Sequence, residues 1–316
     1  MQKQQKYPKV FSIELFPPKT PAGEENLAVA LGPLAALRPA FFSVTFGAGG
    51  TTRSGTIETV IRAKAETGVE VAPHLSCIEG TRESIGEFLE LYKEAGVRRI
   101  VALRGDLPDG MESPSVFNCA AELVGFIREQ TGDYFHIEVG CYPEFHPEAE
   151  SASADLGYFR DKVEAGADSA ITQFFFNADA YFYFVDQVER MGVDIPIVPG
   201  VMPLGNYAQI ARFSAGCGAE IPSWLSKRME AYGDDTESQR QFGIEVVTDL
   251  CQRLLDAGAP GLHFYALNRA EPTSTIWRNL GLPDREWTHG REGYRIGENS
   301  RSGLWEASST PGNPRH

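Results

Sequence analysis

The chain alternates short apolar segments with longer segments whose apolar residues recur at helical spacing. The longer segments often end in glycine, as residues 81–96 do. Eight such repeats within about 250 residues are typical of a (β/α)8 TIM barrel. We therefore predict an α/β protein whose residues 1–283 form a single barrel. The apolar segments predict strands over residues 10–17, 40–47, 69–77, 98–105, 136–143, 169–176, 195–202 and 261–268.

Two stretches depart from the repeat. The interval between residues 202 and 261 is long enough for an extra helix before the last strand, and "IPSWLSKRMEAY" (221–232) fits one. From about residue 284 the sequence becomes polar and ends "GENSRSGLWEASSTPGNPRH". We predict that residues 284–316 form a tail that is partly disordered.

Parity within each strand separates the side chains that face the helices from those that face the barrel interior. The first strand sets Ile13 and Leu15 against Ser12 and Glu14. The fourth sets Val101 and Leu103 against Arg104 and Asp106, which predicts that this charged pair faces inward. By the same parity, ten polar residues of the other strands are predicted to face the barrel interior: Ser43, Thr45, His74, Ser76, His136, Glu138, Tyr142, His263, Tyr265 and Arg269.

Polar interior residues therefore gather near the carboxyl ends of several strands, where barrel enzymes place their active sites. An unpaired charge in a barrel interior costs several kcal/mol, so stability alone does not favour this pattern. Taken singly, Glu14 would more often be a salt-bridge partner of Arg104 or Arg269, and His74 a hydrogen-bonded core residue. Their convergence with Asp106 predicts a polar pocket.

Composition narrows the partners of this pocket. The formal net charge of -14 and the pI near 5.0 argue against nucleic acid, although a local basic pocket remains compatible with a phosphate-bearing ligand. The five cysteines lack metal-ligand spacing and are typical of reduced cytosolic thiols. No apolar run approaches the roughly 20 residues of a membrane span, so we expect a cytoplasmic protein without a membrane partner.

Two kinds of chemistry remain open from the residues alone. His74, Asp106, Glu144 and His146 are compatible with a metal site, although Arg104 would then lie beside the metal. The alternative is a planar organic cofactor held by aromatic side chains. The sequence has neither a Rossmann nor a P-loop glycine motif. Asp155 and Lys162 lie seven residues apart on one predicted helix face, an arrangement that suits ribose and diphosphate groups.

Nine motifs in order resemble the methylenetetrahydrofolate reductase family, in its bacterial form with the catalytic domain only. The resemblance runs from about residue 11 to residue 282. It is carried by "FSIELFPPK", "SVTFGAGG", "APHLSC", "IVALRGD", "YPEFHPEA", "ADLGYFRDKVEAGAD", "AITQFFF", "PGVMP" and "LHFYALNRAE".

The resemblance implies an FAD-dependent reduction of 5,10-methylenetetrahydrofolate to 5-methyltetrahydrofolate, with NADH or NADPH as electron donor in a ping-pong cycle. That product supplies methyl groups for methionine synthesis. Glu14 matches the general acid, which protonates N10 of the folate so that the ring opens to a 5-iminium cation. Asp106 matches the aspartate beside the flavin and pterin rings, where its negative charge favours the cationic folate.

The resemblance also implies the ligand contacts. Folate contacts match Asp106, Gln173, Gln209, Phe213, Leu267 and Arg269. FAD contacts match Thr45, Phe46, Ala48, His74, Arg104, Gly105, Asp106, Tyr142, His146, Ala149, Asp155 and Lys162.

Two other functions stay open at this point: a metal-dependent lyase or hydrolase barrel, and a folate- or flavin-binding barrel without turnover. The sequence does not distinguish NADH from NADPH. A homo-oligomer is compatible with it, but the number of subunits is not readable from the chain.

Overall fold

The structure, a computed structural model, describes residues 1–46, 53–78, 80–105 and 116–284 of the chain. Its strands are all parallel and form one sheet in the order β7-β6-β5-β4-β3-β2-β1-β9-β8. They are β1 (Val10–Leu15), β2 (Phe41–Val44), β3 (Glu70–Ser76), β4 (Arg99–Leu103), β5 (His136–Cys141), β6 (Ser169–Thr172), β7 (Ile197–Val198), β8 (Gly200–Val201) and β9 (Gly261–Tyr265).

Helices separate the strands along the chain. Several begin at a capping side chain, as where the Thr81 hydroxyl accepts a hydrogen bond from the backbone N–H of Ser84. The helices are α1 (Pro21–Ala36), α2 (Arg53–Thr67), α3 (Arg82–Glu94), α4 (Ala120–Thr131), α5 (Ala152–Glu164), α6 (Ala178–Arg190), α7 (Tyr207–Cys217), α8 (Ser223–Ala231), α9 (Thr236–Asp256) and α10 (Thr273–Asn279).

The seventh predicted strand is present as two short pieces. β7 pairs with β6, β8 pairs with β9, and Pro199 lies between them. Proline has no N–H to donate to a sheet, which accounts for the interruption. The Pro199 carbonyl still accepts a hydrogen bond of 3.0 Å from the backbone N–H of His263. Read as one interrupted strand, residues 197–201 bring the barrel to near closure, and the predicted TIM-barrel class is confirmed.

The barrel interior has a charged floor below an apolar layer. The floor cluster consists of Arg99, His136, Glu138 and Ser169, which lie near the amino ends of β4, β5 and β6. Arg99 Nη1 forms an ion pair with Glu138 Oε1, and the Ser169 hydroxyl donates to Glu138 Oε2 at 2.5 Å. The apolar layer contains Phe41, Ala72, Val101 and Ile171.

The predicted facing of the side chains is confirmed for the first strand, where Ile13 and Leu15 belong to the core shared with the helices. It is wrong for the fourth strand. Val101 and Leu103 contact the interior apolar layer, whereas Ile100 and Ala102 join the outer core. Strand pairing explains the error, because Val101 lies beside the inward-facing His74. β4 ends at Leu103, so strand alternation does not apply to Arg104 and beyond.

The long interval before β9 holds three helices, and α8 confirms the predicted extra helix over 221–232. Residues Met1–Arg285 form one compact unit. The boundary at residue 283 stays a prediction, since residues 285–316 lie outside the described part. Ala48 and Asp106 also lie outside it. No helix within the described residues is long and apolar enough to cross a membrane.

Candidate active site

Glu14 lies at the centre of the candidate site, next to the last residue of β1. It is flanked in the sheet by Ser43 of β2 and Tyr265 of β9. Its Oε2 atom lies 3.5 Å from Nε2 of His74 and 3.8 Å from Nε2 of His263. Three strands thus bring one carboxyl group and two imidazoles together, and we call Ser12, Glu14, Ser43, His74 and His263 the mouth cluster.

In the mouth cluster, Glu14 is not held in a salt bridge by an arginine or lysine of the described residues. Within the described residues, no arginine or lysine lies within ion-pair distance of Glu14, so neither Arg104 nor Arg269 is its partner. Burial lowers the pKa of His74 to about 4, although Glu14 opposes this shift. His74 is therefore neutral at neutral pH and offers Glu14 a polar contact without a positive charge.

His263 is a mouth residue that the ligand contacts implied by the resemblance did not include, as are Ser12 and Ser43. It is 1% exposed, and its Nδ1 lies 2.7 Å from the hydroxyl oxygen of Ser12. The Ser43 hydroxyl, also buried, has no hydrogen-bond partner among the described residues. Inward parity already marked Ser12 and His263 as interior residues. Their contact spans 251 positions in sequence and depends on barrel closure, which parity alone does not give.

A crevice opens where β5, β6 and α7 end. Tyr142 and Gln173 line it together with Glu144, Phe145 and Cys217. The backbone N–H of Gln173 donates to the Cys141 carbonyl at 2.7 Å, which fixes the position of Gln173 beside β5. Burial raises the pKa of Glu144.

The segment from β5 to α5 gathers several predicted cofactor contacts. The rings of Tyr142 and His146 meet edge to face, with centroids 4.6 Å apart. The backbone N–H of His146 donates to Asp155 Oδ2 at 3.1 Å, and the backbone N–H of Ala149 donates to the His146 carbonyl at 2.9 Å. These bonds bring Tyr142, His146, Ala149 and Asp155 together.

Lys162 is further down α5 than the other contacts. Its Nζ donates to the Gly140 carbonyl at 2.6 Å. Burial lowers the pKa of Lys162, and it raises the pKa of Asp155. A half-buried ammonium and a half-buried carboxyl group on one helix supply the charge types that a diphosphate and a ribose bind.

Arg104 and Gly105 follow the end of β4. Arg104 is exposed, and its Nη2 lies 2.5 Å from Glu148 Oε2. Gly105 has a φ of +86°, and a Cβ atom there would lie 2.2 Å from the Ser76 hydroxyl oxygen. Only glycine therefore fits this turn, which lets the backbone leave β4 close to β3.

The remaining predicted residues lie on four segments. Thr45 and Phe46 are half-buried just after β2. Gln209 is in the first turn of α7, and Phe213, 39% exposed, is one turn further on. Leu267 and Arg269 follow β9.

Asn268, next to Leu267, is a further buried polar residue that the sequence did not single out. Its side-chain amide donates to the Phe16 carbonyl at 2.8 Å and accepts from the Phe16 N–H at 3.0 Å. This pair of bonds ties the end of β9 to the end of β1. It therefore fixes the chain directly after Glu14.

The charged and aromatic groups near the carboxyl ends of the strands suit a flavin dinucleotide in chemistry. The described residues contain no group of three or more His, Cys, Asp or Glu side chains that could hold a metal. They do offer a guanidinium at Arg104, an ammonium at Lys162, a carboxyl group at Asp155 and a ring at Tyr142. Those groups match phosphate, ribose and ring-bearing ligands in chemistry.

A near-closed parallel barrel with an acid, two imidazoles and aromatic side chains at the carboxyl ends of its strands defines a (β/α)8 barrel enzyme. The chain belongs to the methylenetetrahydrofolate reductase family, whose model matches residues 1–281. This membership confirms the resemblance given by the motifs. It also makes the chain an oxidoreductase of folate one-carbon metabolism.

Relatives cover most of the chain. The 5,10-methylenetetrahydrofolate reductase of Pectobacterium carotovorum subsp. carotovorum is 42% identical over 274 residues, 86% of this chain and 91% of that protein. The enzyme of the same name from Escherichia coli (strain K12) is 40% identical over 271 residues, 86% of this chain and 90% of that protein. "Methylenetetrahydrofolate reductase (NADH) 1" from Zea mays is 38% identical over 315 residues, 93% of this chain and 53% of that protein.

Among solved structures, a Clostridium thermocellum protein described as uncharacterized and binding two copies of 5-methyl-5,6,7,8-tetrahydrofolic acid matches with a TM-score of 0.61. The two chains are 14% identical, and the match covers 89% of this chain and 96% of that one. At this identity the likeness supports the barrel fold alone.

Proposed function

We propose that this protein reduces 5,10-methylenetetrahydrofolate to 5-methyltetrahydrofolate, with FAD as its cofactor and NADH or NADPH as electron donor. The observation that carries the proposal is the mouth cluster, where Glu14 faces two imidazoles and no arginine or lysine among the described residues. This arrangement belongs to a chain whose residues 1–281 match the reductase family.

The reaction needs one proton at a defined place, and Glu14 is the group to deliver it. A carboxyl group paired with a cation stays ionised and has no proton to give. Glu14 instead meets His74, whose pKa is lowered to about 4, so its neighbour is neutral. We assign Glu14 the protonation of N10 of the folate, which opens the five-membered ring.

FAD, when bound, would supply a two-electron carrier that both substrates reach in turn. We assign its phosphate and ribose groups to Arg104, Lys162 and Asp155, whose charges suit them. The ring system would contact the half-buried Phe46 and Tyr142. The other proposed contacts are Thr45, Ala48, His74, Gly105, Asp106, His146 and Ala149.

Arg104 must exchange partners in this scheme, because it is paired with Glu148 in the structure. Both side chains of this pair are exposed, so its rupture costs little.

The folate side of the site is assigned to residues around the crevice and after β9. We propose that Gln173 meets both the folate and the nicotinamide, since it lies at the carboxyl end of β6. Asp106 would favour the cationic folate through its negative charge. Gln209, Phe213, Leu267 and Arg269 complete the proposed folate contacts.

Several broader features belong to the same proposal. The "(NADH)" in the name of the maize relative supports NADH as the donor. The five cysteines are present as thiols and not as disulfides, which is compatible with a reducing compartment, so we propose a cytoplasmic location. We also propose that residues 1–283 form the catalytic unit. The proposed partners are the small-molecule substrates, without nucleic acid or membrane, and a homo-oligomer stays compatible with them.

Two half-reactions test the function. Purified protein should be yellow, NADH should bleach its flavin absorbance without oxygen, and methylenetetrahydrofolate should restore the absorbance as 5-methyltetrahydrofolate forms. Bound metal without flavin would contradict the proposal and favour a lyase or hydrolase. Bleaching without reoxidation by the folate would reduce the protein to a flavin- or folate-binding barrel.

A further inference from the structure

The mouth cluster contains a buried imidazole to which the proposed function gives no task. His263 is 1% exposed and faces Ser12, Glu14 and His74. Its ring also lies against Tyr265, with centroids 5.1 Å apart, and is stacked with Phe41 at 6.4 Å. A residue needed only to fill space would not require two ring nitrogens aimed at polar side chains.

The Ser12 contact determines which ring nitrogen carries the proton. Among the described residues, the Ser12 hydroxyl has His263 Nδ1 as its only hydrogen-bond partner. A protonated Nδ1 would leave the buried Ser12 hydroxyl without an acceptor, at a cost of about 1–3 kcal/mol. The favoured arrangement therefore has the Ser12 hydroxyl donating to Nδ1. With Nδ1 accepting, the ring proton of His263 lies on Nε2, which faces Glu14.

We infer that His263, oriented by Ser12, is a positioning residue for Glu14: its Nε2, 3.8 Å from Oε2 in this structure, donates to Oε2 once the carboxylate forms and stabilises that carboxylate after proton transfer. The inference rests on the proposed function. The proton moves from the Glu14 carboxyl group to N10 of the folate, and solvent returns a proton to Glu14 before the next turnover. A neutral donor suits such a cycle, because a full positive charge would keep the carboxyl group ionised.

Two substitutions separate the contacts of the two ring nitrogens. In His263→Asn the amide reaches the place of Nδ1, so it keeps Ser12 and loses Glu14. In His263→Gln the amide reaches the place of Nε2 and keeps Glu14. We expect His263→Asn to slow reoxidation by methylenetetrahydrofolate roughly 10- to 100-fold, as for loss of one donor to a developing negative charge. Flavin reduction by NADH and the folate Kd should stay near wild type, and His263→Gln should recover most of the rate.

His136→Asn is the matched control, because His136 also contacts a serine in the barrel interior: its Nε2 lies 2.6 Å from the Ser169 hydroxyl oxygen. It belongs to the floor cluster and should leave both half-reactions near wild type. Ser12→Ala, a milder change, should slow only the folate half-reaction, by about 2- to 10-fold as expected for one hydrogen bond. It keeps the test decisive if His263→Asn does not fold.

A spectroscopic readout is independent of turnover. In holoenzyme labelled with ¹⁵N-histidine, the signals lost in His263→Asn or His263→Gln should be those of a neutral ring protonated on Nε2. A ring protonated on Nδ1, an imidazolium, or an equal loss in both half-reactions would overturn the inference. If wild type does not reduce methylenetetrahydrofolate at all, the proposed function fails, and the ring signals still test the Ser12–His263–Glu14 arrangement.

Discussion

The floor cluster and the mouth cluster are built from the same parts but hold their glutamates differently. In each, a glutamate on one strand lies beside a serine on the next, Glu138 beside Ser169 and Glu14 beside Ser43. At the floor, the serine donates to the carboxylate and Arg99 pairs with it. At the mouth, the Ser43 hydroxyl has no partner among the described residues, and the neighbours of the carboxyl group are imidazoles.

The electrostatic outcome differs accordingly. Burial alone would raise the pKa of Glu138, but His136, Arg99 and Ser169 together lower it to about 2. Glu138 therefore stays ionised at neutral pH and well below it, which suits a structural role. At the mouth, no arginine or lysine of the described residues lies within ion-pair distance of Glu14. The difference teaches that a buried carboxyl group becomes available for proton transfer when its partners are neutral.

The largest expected effect on stability comes from removing the cation of the floor. Arg99→Leu removes the arginine from the buried Glu138 and leaves it only His136 and Ser169, so the free energy of unfolding should fall by about 3–5 kcal/mol. Denaturant titration measures the change. The control is Arg104→Leu, which removes an exposed cation paired with Glu148 and should cost at most about 1 kcal/mol. Equal costs for the two variants would show that the Arg99–Glu138 pair stabilises the barrel no more than an exposed ion pair does.

The contributions of the two clusters to the free energy of unfolding should be lost in separate pH ranges. As the pH falls, the contribution of the mouth cluster is lost first. The pKa of His74 is 6.5 in its ordinary state and about 4 in the fold, so the unfolded chain binds more protons between these values. Stability is then fully present above pH 6.5 and falls as the pH drops towards 4, by on the order of 3 kcal/mol. His74→Gln should flatten this part of the curve of unfolding free energy against pH.

The floor follows at lower pH. The pKa of Glu138 falls from an ordinary 4.5 to about 2, so its contribution is present above pH 4.5 and is lost as the pH drops to 2. Glu138→Gln should remove the dependence in this range and leave the range above it unchanged. A change above pH 4.5 in this variant would show that the two clusters do not titrate separately.

The smallest effects should come from Ser169 and Ser43, the serines that lie beside the two glutamates. Ser169→Ala removes a hydrogen bond to a charged group and should cost about 1.5–3 kcal/mol. Ser43→Ala removes a hydroxyl without a partner and should change the free energy of unfolding by less than about 0.5 kcal/mol. Thermal unfolding of the two variants side by side measures the contrast. A cost at Ser43 as large as that at Ser169 would indicate a bond that this account lacks.

Much of the fold was readable because strand alternation and helical spacing are local properties. Parity placed Glu14 and His74 in the interior, and the length of the interval before β9 predicted the extra helix there. It failed at β4, where apolar Val101 and Leu103 fill the interior and Arg104 lies beyond the strand end. Apolar residues on both faces of a buried parallel strand leave parity without a signal.

The partners within the site were less readable. Taken singly, Glu14 would more often pair with Arg104 or Arg269, yet Arg104 pairs with Glu148. The Ser12–His263 contact joins the first and last strands and depends on the register between them. The interruption at Pro199 was not readable either, because it depends on pairing: the residues before Pro199 pair with β6, and those after it pair with β9.

The central claim is that Glu14 gives a proton to the folate, whereas Glu138 only stabilises the barrel. Stopped-flow kinetics of Glu14→Gln and Glu138→Gln, with both half-reactions measured separately, test it most directly. We predict that Glu14→Gln keeps flavin reduction by NADH near wild type and slows reoxidation by methylenetetrahydrofolate at least about 100-fold, as for loss of a general acid. Folded Glu138→Gln should keep both rates. Equal slowing of the two half-reactions in Glu14→Gln, or wild-type reoxidation by the folate, would contradict the claim.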